Sequence, residues 1–190
     1  MKLEETKRLF TSKEALISAS HLKCVLAHFS ERIAIAGSLR RERPAVHDIE
    51  FVIIPKLVPR QQSFFADPEM RDLASEAIDN MVHSGILEKR LSVNGREAWG
   101  DKNKLAREVS SGIPVDFFFT THENWVTTLF IRTGGKATNI EVATRAKQKG
   151  WRLNAYGNGF SCGRKVWPVT SEEEIFKFVG LPYFEPSKRP

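Results

Sequence analysis

The stretch Gly37-Ser38-Leu39-Arg40-Arg41, followed by Asp48-Ile49-Glu50, decides how the first half of this chain folds. The apolar run Ile33-Ala34-Ile35-Ala36 leads into it, so we predict a strand that ends at a Gly-Ser turn. A second strand is predicted over residues 49–54, and acids stand at alternate positions where it begins. Because side chains alternate across a strand, we expect Asp48 and Glu50 to point to the same face.

The acids suit a metal ion and the adjacent turn suits a phosphate, so the two together are typical of one reaction centre. Two adjacent carboxylates repel each other unless a cation lies between them, and hard divalent cations prefer oxygen ligands. The Gly-Ser turn offers free backbone N–H groups, a hydroxyl and the guanidinium groups of Arg40 and Arg41, which suit a phosphate. A metal beside a phosphate indicates phosphoryl or nucleotidyl transfer.

A third acid lies in the run Gly112-Ile113-Pro114-Val115-Asp116-Phe117-Phe118-Phe119, which is typical of a buried strand with one charge in its middle. A lone carboxylate among phenylalanines is costly unless it is paired or bound to a metal. Two interpretations stay open. Asp116 completes a two-metal site with Asp48 and Glu50, or it forms a salt bridge with an arginine in the core.

Gly-Ser-x-Arg-Arg, an Asp-x-acid pair and a distant Asp on a strand together resemble the pattern of the polymerase β-like nucleotidyltransferases. Later runs resemble the thumb of the family X DNA polymerases, in the family's order. These runs are Thr133-Gly134-Gly135-Lys136-Ala137-Thr138-Asn139, residues 145–157 with Leu153-Asn154-Ala155-Tyr156-Gly157, residues 171–176, and Gly180-Leu181-Pro182-Tyr183. The resemblance extends from about Ile33 to the C-terminus, except for the poorly matched stretch between Pro55 and Gly112.

The resemblance implies roles for named residues. The catalytic acids, Asp48, Glu50 and Asp116, would also be the metal ligands and would hold two Mg²⁺ ions, for which Mn²⁺ can substitute. Residues that would bind the nucleoside triphosphate are Gly37, Ser38, Arg41, Thr133, Gly134, Lys136 and Asn139. Residues that would bind DNA are Arg145, Lys147, Lys149 and Arg152. For each of these four basic residues, a solvated helix face stays the alternative.

The chain departs from the family pattern at four places. Glu50 stands where the polymerases carry aspartate, and His47 stands where a small residue usually precedes the first acid. Ala143 occupies a position where an arginine often points toward the template strand. Ile131-Arg132 replaces the Tyr-Phe pair that lies against the sugar. From this last change we expect ribonucleotides to be accepted with a smaller penalty than in members that carry Tyr-Phe.

Composition sets wider limits. The chain has 190 residues, of which 41% are hydrophobic and 27% charged, which suits one domain or two small ones with a real core. A net charge of +6 favours polyanions as partners. Two cysteines without metal-type spacing fit a reducing cytoplasm. No apolar run has membrane-spanning length, and the charged start Met1-Lys2-Leu3-Glu4-Glu5 is unlike a signal peptide.

We predict an α+β fold, in which a nucleotidyltransferase palm, a mixed β-sheet flanked by helices, is followed by a small α+β thumb. The predicted domains are residues 1–120, an N-terminal helix plus the palm, and residues 121–190, the thumb. Helices are expected from Thr11-Ser12 to about residue 29, from Asp67-Pro68-Glu69, through Trp125, over residues 136–149 and after Ser171. Pro55 and Pro59 are expected to end regular structure after the strand that carries Glu50. Strands are expected over residues 86–93, ending at Asn94-Gly95, and over residues 105–109, joined to the Asp116 strand.

Only about thirty residues precede the predicted palm, too few for the lyase and helix-hairpin-helix modules that the resemblance would place first. We therefore expect a minimal palm-and-thumb form, acting as a monomer in the cytoplasm or wherever its DNA lies. The implied activity is metal-dependent transfer from a (deoxy)nucleoside triphosphate to the 3′-hydroxyl of gapped or primer–template DNA, as in DNA repair. The alternatives are an acceptor that is RNA, a protein or a small molecule, or a catalytically decayed nucleic-acid-binding module.

Overall fold

The computed structural model describes residues 8–60 and 69–190 of the chain. Helices in these residues are α1 (Ser12–Ala27), α2 (Gly37–Arg40), α3 (Leu73–His83), α4 (Trp125–Thr133), α5 (Lys136–Gln148) and α6 (Glu172–Val179). Strands are β1 (Phe10–Thr11), β2 (Ser30–Ile35), β3 (Ala45–Val46), β4 (Ile49–Pro55), β5 (Leu57–Arg60), β6 (Glu69–Asp72), β7 (Leu87–Lys89), β8 (Asn103–Glu108), β9 (Pro114–Phe119), β10 (Arg152–Leu153), β11 (Phe160–Cys162) and β12 (Lys165–Trp167).

A five-stranded sheet in the order β2-β4-β9-β8-β7 forms the centre of the palm. Strands β4 and β9 run parallel, and the other neighbours run antiparallel. Helices α1 and α3 pack on one face of this sheet, and α4 packs on the other. The α+β fold with a mixed sheet, which the sequence predicts, is confirmed.

Strand β4 is apolar on both faces because helices cover both. Phe51 is fully buried on the side of α1 and α3, where its ring stacks on that of Phe117 with centroids 5.7 Å apart. Val52 is fully buried on the opposite side, against Trp125 of α4. Glu50 shares a face with Val52, so this acid lies on the side of the sheet that α4 partly covers.

Helix α1 begins where its sequence predicts. The Thr11 hydroxyl accepts a hydrogen bond from the N–H of Glu14 at 3.2 Å, and the Glu14 carboxylate accepts one from the N–H of Thr11 at 3.0 Å. This capping box satisfies two donors that the first turn would otherwise leave unpaired. Leu22 and Leu26 then bury the inner face of the helix against the sheet.

The C-terminal part of the chain has a second core. Phe130 of α4, Val142 of α5 and Phe176 of α6 are buried together, and the rings of Phe130 and Phe176 meet edge to face. A small antiparallel sheet, in the order β10-β11-β12, closes this core on one side. We propose that the two cores mark two domains, with the division near residue 120.

Two predictions about the segment between β4 and α3 are wrong. Helix α3 begins at Leu73, because Asp72 caps it by accepting a hydrogen bond from the N–H of Ser75 at 2.7 Å, and the residues before it form β6. Asp67 and Pro68 lie outside the described residues. Pro59 does not end regular structure but lies in β5, which pairs with β6. A two-stranded sheet has only edges, where proline is tolerated.

The strand expected over residues 86–93 is shorter than predicted. Strand β7 covers Leu87–Lys89, and an isolated bridge between Leu91 and Glu97 follows it. The turn predicted at Asn94-Gly95 lies inside this bridge, and Gly95 has a φ of +70°, as a tight turn requires. The predicted hairpin from β8 to β9 is present. Within the described parts of the chain, each helix is too short or too polar to cross a bilayer.

Candidate active site

The palm sheet brings the three predicted acids close together. Glu50 of β4 pairs directly with Asp116 of the parallel strand β9, so their side chains share one face. Asp48 lies two residues before Glu50 and close enough to act on both other acids electrostatically. The pKa of Glu50 is raised to about 8, chiefly by burial and to a smaller extent by the charges of Asp48 and Asp116. The sheet therefore concentrates negative charge at one end of β4.

An arginine that the sequence analysis did not single out pairs with Asp116. Arg90, which directly follows β7, donates a hydrogen bond from Nη2 to Oδ1 of Asp116. Burial raises the pKa of Asp116, and the charge of Arg90 opposes that rise. The structure therefore shows the salt bridge of the second interpretation, whereas the two-metal site of the first interpretation stays a prediction, although Asp116 does lie beside the other acids.

The chemistry of these acids fits a hard divalent cation, because three crowded carboxylates offer oxygen ligands whose mutual repulsion a cation would relieve. Among residues 8–60 and 69–190, however, no group of three His, Cys, Asp or Glu side chains is arranged to hold a metal ion as it stands. One oxygen of Asp116 is engaged by Arg90. His47 is exposed, and its Nδ1 lies 3.2 Å from the carbonyl oxygen of Arg8.

The Gly-Ser turn packs directly against the acids. Gly37 opens helix α2 with a φ of +62°, a conformation that glycine adopts readily. A Cβ atom at Gly37 would overlap the carboxylate of Glu50, so a larger residue here would displace that carboxylate. Ser38 follows, half-buried, in the first turn of α2. A phosphate held by this turn would lie next to the acids.

Arg41 links this turn to the C-terminal half of the chain. Its Nη1 donates a hydrogen bond to the backbone carbonyl of Thr133, at the end of α4. The same nitrogen lies 2.9 Å from where a Cβ atom of Gly134 would be. Burial lowers the pKa of Arg41, whereas the nearby Asp48 and Glu50 oppose that decrease. Arg41 therefore lies between the Gly37-Ser38 turn, the acids and the Thr133-Gly134 turn, both of which are predicted to bind the nucleotide.

The remaining two predicted nucleotide-binding residues lie on α5. Lys136 is exposed at the first position of the helix. Asn139 donates a hydrogen bond from Nδ2 to the carbonyl of Ile131 at 2.8 Å. Its Oδ1 is buried and has no hydrogen-bond partner among the described residues. Asn139 thus secures the end of α4 and keeps one acceptor unused.

The four predicted DNA-binding residues fall into two pairs. Arg145 donates to Glu141 at 2.6 Å, and Lys149 donates to the carbonyl of Phe178 at 2.5 Å, so both are engaged within the thumb. Lys147 and Arg152 are exposed, and their side chains make no hydrogen bond or ion pair in the described part of the chain. These last two are the better candidates for contacts with phosphates.

Arg132, one of the departures from the family pattern, lies on the acid side of the palm sheet. Its guanidinium carbon is 3.7 Å from the centroid of the Phe118 ring, and Nη2 donates to the hydroxyl of Tyr156 at 3.3 Å. The positive charge of Arg132 opposes the rise in the pKa of both Glu50 and Asp116. The side chain is therefore directed toward the acid cluster.

A buried ion network that sequence reasoning missed joins the palm to the thumb. Glu172, the first residue of α6, accepts hydrogen bonds from Arg40 at 2.7 and 3.1 Å and from Arg189 at 2.8 Å. Burial would raise the pKa of Glu172, but the hydrogen bonds from both arginines outweigh it and hold this pKa below its usual value. Nη1 of Arg40 also donates to the hydroxyl of Thr133 at 2.6 Å.

Comparisons with known proteins agree with this architecture. Residues 128–190 match the family model described as DNA polymerase beta thumb. The chain is 30% identical over 179 residues to the DNA polymerase/3′-5′ exonuclease PolX of Bacillus subtilis; this match covers 92% of the chain but only 27% of the length of the bacterial protein. It is 24% identical over 188 residues to the Repair DNA polymerase X of African swine fever virus (isolate Pig/Kenya/KEN-50/1950), and this match covers 98% of both proteins.

A solved structure shares the fold. The chain matches the ternary P/T complex of Leishmania infantum polymerase beta with a TM-score of 0.70 and 19% sequence identity. The match covers 96% of this chain and 77% of that one. The chain therefore shares the fold of this polymerase beta, and the resemblance to the family X DNA polymerases that its motifs predict is confirmed.

Proposed function

We propose that the chain is a family X-like DNA polymerase, which transfers a nucleotidyl group from a (deoxy)nucleoside triphosphate to a DNA 3′-hydroxyl. One observation carries this proposal: Glu50 and Asp116 lie opposite each other with Asp48 beside them, and the Gly37 turn packs on Glu50. The named relatives, which are DNA polymerases, support the same reaction class.

Each residue of the site has a distinct part in this reaction. The backbone of Gly37 and the hydroxyl of Ser38 bind the outer phosphates, and the charge of Arg41 lies beside them. The three acids would hold two divalent cations, Mg²⁺ or Mn²⁺, which would neutralise the charge that develops during transfer. By the family resemblance, the carboxylate of Asp116 would assist the deprotonation of the incoming hydroxyl. Catalysis is then mostly positioning and charge neutralisation.

The thumb completes the proposed complex. Thr133 and Gly134 pack on the sugar, and Lys136 and Asn139 lie near the incoming base. Of the four predicted DNA-binding residues, Lys147 and Arg152 are free to contact DNA phosphates as they stand, whereas Arg145 and Lys149 would first have to leave their partners in the thumb. The proposed partner is a gapped or primer–template DNA. The protein would bind it as a monomer, in whichever compartment holds that DNA. The net charge of +6 supports an acidic polymer as the acceptor.

Primer extension tests the proposal. Wild-type protein is assayed on gapped, nicked and single-stranded DNA with each triphosphate, while pyrophosphate release is followed in parallel. The D48N variant should extend no primer yet fold normally, because the removal of one charge beside Glu50 relieves repulsion in the metal-free protein. Extension by D48N at the wild-type rate would contradict the proposal. Pyrophosphate release without extension would instead indicate an RNA, protein or small-molecule acceptor.

A further inference from the structure

Arg90 reaches Asp116 from across the sheet. The register places Glu50, Asp116 and Leu105 opposite one another on β4, β9 and β8. Lys89, the last residue of β7, pairs with Ala106, and the N–H of Arg90 donates to the carbonyl of Leu105 at 3.0 Å. Arg90 therefore continues the same cross-strand row beyond Leu105. Because opposed residues share a face, its side chain starts on the face that carries the acids.

The arginine side chain must pass over Leu105 to reach its partner. Neighbouring strands lie about 4.8 Å apart, so the backbones at Arg90 and Asp116 are separated by roughly 10 Å. The side chains of Arg90 and Asp116 together bridge that distance, and Leu105, which is only 8% exposed, lies on the strand between them. Nη1 of Arg90 also donates to the carbonyl of Leu91 at 3.3 Å. The guanidinium is thus held by the backbone as well as by Asp116.

The two carboxylate oxygens of Asp116 have different surroundings. Glu50 lies on one neighbouring strand, and Arg90 approaches over the other. The guanidinium binds Oδ1. Oδ2 makes no hydrogen bond within the described part of the chain, so it remains available to a cation that Asp116 would share with Asp48 and Glu50. The exposed fractions of the two paired side chains, 20% for Arg90 and 13% for Asp116, mean that water screens the pair only in part.

We propose that Arg90 is a positioning residue for Asp116. It holds the carboxylate by one oxygen, which presents the other toward Glu50, and its charge competes with a divalent cation for the acid cluster. The catalytic part of this inference rests on the proposed nucleotidyl transfer. The electrostatic part concerns the acids alone and can be measured without DNA or nucleotide.

Charge and geometry can be separated with two variants and a matched control. R90M keeps an apolar stem over Leu105 but removes the charge, whereas R90K keeps the charge without the two-pronged guanidinium. Arg107 is the control, because it lies on β8, forms an exposed ion pair with Glu88 at 3.4 Å and makes no hydrogen bond or ion pair with the three acids. For each protein, the dissociation constant for Mn²⁺ alone, the kcat of primer extension and the Tm are measured.

The expected results differ in sign between the readouts. R90M should lose about 10- to 100-fold in kcat, as is usual when the partner that orients a metal ligand is removed. It should nevertheless bind Mn²⁺ about three- to tenfold more tightly, since a competing positive charge is gone. R90K should bind Mn²⁺ like the wild type yet still lose about tenfold or more in kcat, because an ammonium cannot orient the carboxylate in the same way. R107M should match the wild type in both.

Several outcomes would overturn the inference. Weaker or unchanged Mn²⁺ binding by R90M would refute the competition, and a kcat for R90K equal to that of the wild type would refute the positioning role. If R90M proves unfolded at the assay temperature, R90K decides the question. Wild-type protein that binds Mn²⁺ but extends no primer would count against the proposed function, whereas the Mn²⁺ comparison between variants would still judge Arg90.

Discussion

Replacement of Glu172 with glutamine is expected to destabilise the folded chain by about 3 kcal/mol. The glutamate side chain is only 10% exposed, and Arg189, one of its partners, is fully buried. Removal of the charge leaves two guanidinium groups facing a neutral amide, and loss of one partner from a buried ion pair costs about 3–5 kcal/mol. We expect the lower end of this range, because glutamine keeps one acceptor oxygen.

The effect should depend on pH in a defined direction. The hydrogen bonds from Arg40 and Arg189 hold the pKa of folded Glu172 below its usual value, despite burial. A carboxyl group whose folded pKa is depressed contributes stability that is present above its unfolded pKa, about 4.3 for Glu. That contribution is lost as the pH falls through the folded pKa. The difference between wild type and E172Q should therefore be complete at pH 7 and shrink below about pH 4.

Urea unfolding, followed by circular dichroism at neutral and acid pH, measures this difference. For a chain of this size, a loss of about 3 kcal/mol lowers Tm by roughly 6–12 °C. Glu173 is the matched control, since it is the next residue, exposed and outside the network, and E173Q should change stability by less than about 0.5 kcal/mol. A loss below about 1 kcal/mol for E172Q at pH 7, or an equal loss for E173Q, would refute the reasoning.

Three other changes follow from the site. Gly37→Ala should abolish primer extension and should destabilise the fold by more than Gly85→Ala does. Both glycines have a positive φ, but only a Cβ atom at Gly37 meets a carboxylate; thermal unfolding and primer extension of the two variants are compared. Lys147→Ala and Arg152→Ala should each weaken binding to gapped DNA and reduce the slope of affinity against salt by about 1, whereas unchanged slopes would exclude phosphate contacts. Because Arg132 lies against a palm phenylalanine, the kcat/KM for dATP should exceed that for ATP by no more than about 100-fold on one primer, and stronger rejection of ATP would contradict this.

The sequence predicted best the features that depend on neighbouring residues. Thr11 caps α1 because Glu14 stands three residues later, and Gly95 forms a turn because it adopts a positive φ at little cost. The alternation of Asp48 and Glu50 along one strand is equally local. Even the third acid could be assigned to a buried strand, since the run around Asp116 is bulky and apolar.

Long-range pairings could not be read in the same way. Arg90 meets Asp116 only because the register of β7, β8 and β9 places it in one cross-strand row, and the irregular segment after β7 carries no signal for that register. Glu172 and Arg189 look like ordinary surface residues of a helix start and a chain end. Their burial follows from how α6 packs against α4 and α5 and from the contact of Glu172 with Arg40, which no local pattern specifies.

The parallel pairing of β4 with β9 determines when the acid row can exist. The two acids of this row, Glu50 and Asp116, are sixty-six positions apart in the chain. Parallel strands cannot be joined by a tight turn, so their pairing does not start from residues close in sequence. The hairpin of β8 and β9 and the helix α1 depend on near neighbours and can form early, whereas the acid row waits for a distant contact. During synthesis, the charge cluster therefore assembles only after β9 has been made, and a nascent chain that ends before β9 lacks its third carboxylate.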